Sequence, residues 1–171
     1  MKTVFRICTV AILFMAACVK DTRPGIDDVN EADRTFAATA GQLYLAHYEL
    51  SKVAFNNSTD STVILLAEKV VLTSNSAYYE LIQIGNQKGL AVTGSLDETH
   101  LAYKNDLSNL SGSALDSTYL HLLVEDQHVL LSAFDVLSQT GNNLTLRDHG
   151  ARFADTMLQY HEVADSLADL Y

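Results

Sequence analysis

Helix breakers are scarce: one proline and eight glycines are spread through 171 residues. Long stretches therefore run without interruption, and long helices are permitted. Strand-like alternation is missing too, because the β-branched clusters sit inside stretches of helical period. Basic residues are few, 11 Lys and Arg against 21 Asp and Glu, for a net charge of −10. That balance excludes nucleic acid as an expected partner, since phosphate must be met by Lys and Arg. It also disfavours electrostatic attraction to anionic lipid. There is no Gly-rich phosphate loop and no serine in a nucleophile elbow. No catalytic triad and no cofactor is expected. What is present is ample apolar material, 48% against 19% charged, enough for one domain with a real core.

Cysteine usage gives an address. The two cysteines are Cys8 and Cys18, and both fall at the start. Lys2 and Arg6 precede an apolar run from Ile7 to Ala17, which is short for a transmembrane helix. The pattern is that of a bacterial secretion signal over residues 1–17. Met15-Ala16-Ala17-Cys18 resembles a lipobox, with Met where Leu is usual. Cleavage before Cys18 would discard Cys8 and use Cys18 for lipid, leaving no thiol for a disulfide or for catalysis. It would also leave nine basic against 21 acidic residues, a net charge of −12. The membrane is thus an expected partner through a lipid anchor. Residues 19–29, VKDTRPGIDDV, are polar around Pro24-Gly25 and read as a tether. Residues 30–171 form the domain.

Within the domain the period is helical almost throughout. In helix one, Phe36, Ala40, Leu43, His47, Leu50 and Ala54 recur at alternating spacings of four and three, a heptad-like seam. Residues 56–60, NNSTD, end it. Helix two spans 61–87, with Val63, Val70, Ser74, Ala77, Leu81 and Ile84 on its seam. Residues 89–94 form a loop. The capping-box pattern at Ser95–Glu98 opens a short helix that ends near Asn109, and a second at Ser113–Asp116 opens helix three, which ends near Gly141. Helix four starts near Leu144 and carries Phe153, Met157, Tyr160, Ala164, Leu167 and Tyr171. Connections that run short, long, short describe two antiparallel hairpins joined by a crossover. The fold expected is an all-α, ferritin-like four-helix bundle with a short extra helix in that crossover.

The stretch HLLVEDQH, residues 121–128, places His121, Glu125 and His128 at metal-ligand spacing, and Glu125-x-x-His128 is half of a di-iron motif. A helical wheel decides against it. Leu115, Tyr119, Leu122, Leu123, Leu130, Phe134 and Leu137 share one side, and the three candidate ligands share the other with Ser132 and Asp135. The triad is expected in solvent, and no second Glu-x-x-His exists. The same wheel turns Asp126 inward and sets Gln127 at the margin. With His47, Ser74 and His161, at the edge of the helix-four seam, they form an expected core polar cluster. Buried polar groups need partners, and Asp126 is expected to pair with His47 or His161. The alternative is that His47, Asp126 and His161 converge as a facial set for a divalent metal.

The segments AHYELSKVA, LLAEKVV, SGSALDSTYL and QYHEVAD, together with Asp116 and Tyr119, carry a likeness to a known family. From about Glu31 to Leu167 the chain resembles the bacterial ferritin-like family called domain of unknown function 4142. The resemblance implies a four-helix bundle in an exported protein, and no established activity. Leu115 stands where the family has Phe, and His161 matches its helix-four histidine. Thr73-Ser74 and Asp126-Gln127 stand where the family usually has Asp-His, and His47 where many members have Glu. Two functions remain open. One is a non-enzymatic envelope lipoprotein with a binding or interaction bundle. The other is a metal-binding or redox ferritin-like protein using the core cluster.

Overall fold

Asn30 starts the first helix. Its side chain accepts from the backbone N–H of Asp33, and the Asp33 carboxylate accepts in turn from the backbone N–H of Asn30, a reciprocal cap. The computed structural model describes residues 27–171, and these hold five helices and no strand. They are α1 (Glu31–Asn57), α2 (Ser61–Lys88), α3 (Glu98–Ser108), α4 (Gly112–Thr140) and α5 (Leu144–Ala168). The long helices have 25 to 29 residues, about 40 Å each. α1 pairs with α2 and α4 with α5, while α1/α4 and α2/α5 form the two remaining seams; α3 lies on α1 and α4. This is the expected all-α, ferritin-like bundle, with its extra helix in the crossover.

The predicted seams of helices one and two are the buried faces; of the helix-four positions only Met157 and Ala164 are buried, and Tyr171 is exposed beyond the end of α5. All six helix-one positions are buried, as are the six of helix two. The core falls into two clusters along the bundle. One holds Phe36, Leu43, Tyr44, Leu81, Phe134 and Met157. The other holds Leu50, Val63, Val70, Leu115, Tyr119 and Leu123. Each fully buried side chain of this size contributes about 1.5–3 kcal/mol. In sequence, His47, Ser74 and Gln127 stand between the two clusters on α1, α2 and α4.

Both expected capping boxes are displaced by two residues. α3 is capped by Asp97, whose carboxylate accepts from the backbone N–H of His100 at 2.8 Å. Ser95 is engaged instead with the Thr93 hydroxyl. α4 begins at Gly112, whose φ of +56° favours glycine over serine, and its cap Ser111 makes no side-chain cap bond. The tether also ends earlier than residue 29. Asp27 accepts from Lys88, from the Asn143 side chain and from the backbone N–H of Leu144, and Val29 packs on the core. At the opposite end, the Tyr171 hydroxyl donates to Asp60, the cap of α2.

The crossover is pressed onto the bundle by Val92. A Cβ on Gly41 would stand 2.8 Å from one Val92 methyl, and a Cβ on Gly85 2.9 Å from the other. Only glycine at both positions lets Val92 seat against α1 and α2, and that seat leads the chain into α3.

Candidate functional site

The expected core cluster is only partly assembled. His47 is 1% exposed, and Ser74 and Gln127 are fully buried. Among the described residues neither imidazole nitrogen of His47 has a hydrogen-bond partner, nor do the Ser74 hydroxyl or the Gln127 amide atoms. The space beside His47, lined by Leu50, Ser51, Tyr119 and Leu123, has no room for a water molecule. Burial, opposed by the Asp126 charge, pulls the His47 pKa down to about 4, so the ring is neutral at physiological pH. Ser51 and Tyr119 satisfy each other, hydroxyl to hydroxyl, at 2.9 Å.

Asp126 corrects the expectation. It is Gln127 that is sealed in the core, whereas Asp126 keeps 15% side-chain exposure and sits under α3. Its partner is neither His47 nor His161 but His100 of α3, at 3.3 Å from Nε2. Asp97 takes the other ring nitrogen, Nδ1, at 2.8 Å. The Gln42 amide nitrogen approaches that same Nδ1 at 3.5 Å. A neutral imidazole donates one hydrogen bond; only the imidazolium donates to both carboxylates. Asp126 and Asp97 accordingly raise the His100 pKa against the desolvation that lowers it. One further ion pair, Lys104 to Glu49 at 2.6 Å, fastens α3 to α1.

His161 is half-buried and stands apart from this clamp, its ring 6.5 Å from that of His128. His47, Asp126 and His161 are therefore not gathered as ligands. Among the described residues no three His, Cys, Asp or Glu are grouped to hold a metal ion. His121, Glu125 and His128 are exposed as the wheel predicted, and His121 Nδ1 bonds the Ser117 carbonyl one turn back.

A second fully sealed histidine was not expected. His149 of α5 is fully buried among Phe36, Tyr44 and Phe153. Burial lowers its pKa despite Glu80. The neutral ring donates from Nδ1 to Glu80 at 2.8 Å and accepts at Nε2 from the Tyr44 hydroxyl at 3.2 Å. Arg152 completes the row by pairing with Glu80 and Asp148. This Tyr–His–Glu row has the parts of a proton relay. Tyr44 and His149 are both sealed at 0% exposure, so it serves as a tie between α1, α2 and α5. The signal for it lay in the sequence: His149 continues the Phe153–Met157–Tyr160 seam one turn earlier.

The α2/α5 seam opens to solvent. Glu80 with Arg152 ties it near one end, and the Thr73 and Tyr160 hydroxyls, 3.0 Å apart, tie it midway. Beyond that tie lies a groove of about 340 Å³, at the low end of small-molecule sites, roughly 300–1,000 Å³. Its walls include Leu65, Leu66, Val163 and Leu167, with Lys69, Gln159 and Tyr160 toward the tie.

The family model for the domain of unknown function DUF4142 matches residues 21–167. The chain belongs to the DUF4142 family. No curated protein matches it. Among solved structures, this DUF4142 chain is similar to a DUF305 fragment from Deinococcus radiodurans, with a TM-score of 0.72 at 12% identity over 84% of this chain and 99% of that one. At that identity the likeness concerns the fold alone. No helix among the described residues of the DUF4142 domain is long and apolar enough to cross a membrane.

Proposed function

We propose that this DUF4142 protein is an exported lipoprotein, anchored through Cys18 in the cell envelope on the periplasmic side or the cell surface, and that its bundle binds rather than catalyses. The observation that carries the binding role is the contrast in access. The histidines at the heart of the polar clusters are sealed or nearly so, while the α2/α5 groove offers an open apolar wall. An exposed apolar surface of this kind is where soluble domains take ligands.

The anchor fits the placement. Asp27 is held at the end of the bundle where α2 and α4 finish and α5 begins. A lipid on Cys18 lies nine residues before it, at most about 30 Å of chain. That end is the one nearer the anchor along the chain, and the groove lies near the start of α2, at the other end.

Two experiments test the reading. Cys18→Ser should move the protein from the membrane to the soluble fraction; a native chain that is soluble and unacylated removes the anchor. Nile red, an uncharged apolar dye, should bind the full chain saturably and lose most of its binding with Val163→Asp. A dye signal indifferent to that change removes the binding role.

A further inference from the structure

The α2/α5 groove is not evenly apolar, and its two ends ask for different chemistry. α2 runs from its start at Ser61 toward Lys88, while α5 descends beside it from Leu144 to Ala168. Thr62 and Leu167 therefore lie at the outer end of the groove, and Lys69 and Gln159 at the inner end, beside the Thr73–Tyr160 tie. The inner end offers hydrogen-bond donors: an ammonium, a carboxamide and a phenol. The outer end offers Leu65, Leu66, Val163 and Leu167. Leu65 and Val163 are about half exposed, at 52% and 46%.

Lys69 is the decisive group. No carboxylate lines the groove, and Lys69 makes no ion pair among the described residues, although acidic residues outnumber basic ones 21 to 11. Lys52, Lys88 and Lys104 each have a carboxylate partner. An ammonium left free above an apolar floor is met by a ligand with one negative head and an apolar tail. The length of the groove narrows the choice. Thr62 to Lys69 is seven residues of helix, about 10 Å. That is too short to seat a partner helix or a second copy, whose stable interface buries about 800 Å² on each side. It suits one short alkyl chain.

We propose that the groove is a binding site for a single-chain anionic amphiphile, a medium-chain carboxylate. The head accepts from Lys69 Nζ and the Gln159 amide, and the tail lies along Leu65, Val163 and Leu167 toward the open end. This rests on the binding role above and adds the charge and size of the ligand.

The test is isothermal titration of the full chain carrying Cys18→Ser with decanoate, decanol and decyltrimethylammonium, the two ions below their micelle concentrations and decanol below its solubility limit. Decanoate should bind one to one. Lys69→Gln should weaken it about tenfold or more, the loss of one charge-assisted bond, and leave decanol unchanged. Val163→Asp should abolish binding of decanoate and decanol alike; Lys69 and Val163 are both exposed, so neither change threatens the fold. Decanoate binding that ignores Lys69→Gln overturns the head assignment. If decanol or the cation binds through Val163 and decanoate does not, the anionic ligand is wrong and the binding role stands. If none of the three binds, both fall.

Discussion

The two seams of the bundle that join its hairpins have been closed in different ways. The α1/α4 seam is covered by α3, which presses Leu107 and His100 inward and is fastened through Asp97, Asp126 and the Lys104–Glu49 pair. The α2/α5 seam has no covering helix among the described residues. Polar ties hold it at intervals, Glu80 with His149 and Arg152, Thr73 with Tyr160, and Asp60 with Tyr171 at the far end, and between the last two its apolar wall stays open. A covered seam tolerates carboxylates and a histidine because the added helix supplies their partners. An uncovered seam must either tie itself with exposed polar pairs or leave apolar side chains to water. Here it does both, and the residual apolar stretch is what a ligand can use.

The largest effect expected from breaking this contrast is in a matched pair of truncations. Leu107→Ala removes a fully buried side chain from beneath α3 and should cost about 2–5 kcal/mol. Leu65→Ala, in the open groove, should cost under about 0.5 kcal/mol. Urea unfolding of both compares the seams directly; equal costs would erase the distinction.

Next is His47, whose ring nitrogens are dry and unpaired. Its folded pKa of about 4 lies below the ordinary 6.5, so the unfolded chain takes up the proton first. Stability is full above pH 6.5 and falls as pH drops toward 4, by about 3 kcal/mol. His47→Leu should remove that part of the acid sensitivity. It should also raise stability at pH 7 by about 1–3 kcal/mol, because two unpaired polar atoms leave the core. Unfolding curves for both proteins at pH 7 and 4.5 measure this; a variant with the native acid slope would place the proton elsewhere.

His100 should show the opposite sign. Its pKa is raised in the folded state by Asp126 and Asp97. The contribution is complete below about pH 6.5 and fades as pH rises through the raised value. His100→Gln should therefore cost about 1.5 kcal/mol at pH 6, the low end for a charge-assisted bond, because Asp97 is half exposed. The cost should shrink by pH 9. Smallest of all, His121→Ala on the wet face of α4 should change stability by less than about 0.5 kcal/mol.

The four long helices were legible because each carries a seam of regular period, and every seam residue of helices one and two is buried. α3 carries no such seam: only His100 and Leu107 are buried in it, too few to reveal which face packs. Without that face, the partner of Asp126 could not be read, since it comes from α3. Asp126 and Gln127 differ by one step on the wheel, about 100°, and the covering helix decides which of them is sealed. His149 was legible in principle, as an extension of the helix-four seam. The groove was not, because a local splay between α2 and α5 depends on how two helices approach and leaves no mark in either sequence. Cap positions slipped for a related reason: Asp97 and Gly112 compete locally with the serines at Ser95 and Ser113, and backbone geometry chooses.

The most direct measurement is an amide NMR titration of the full chain carrying Cys18→Ser with decanoate. Saturating shifts confined to residues 62–69 and 159–167 are expected, with His100, Asp126 and their neighbours under α3 unmoved. Shifts centred on α3 and the His47 side, with the α2/α5 groove silent, would contradict the assignment of the open seam as the side that binds.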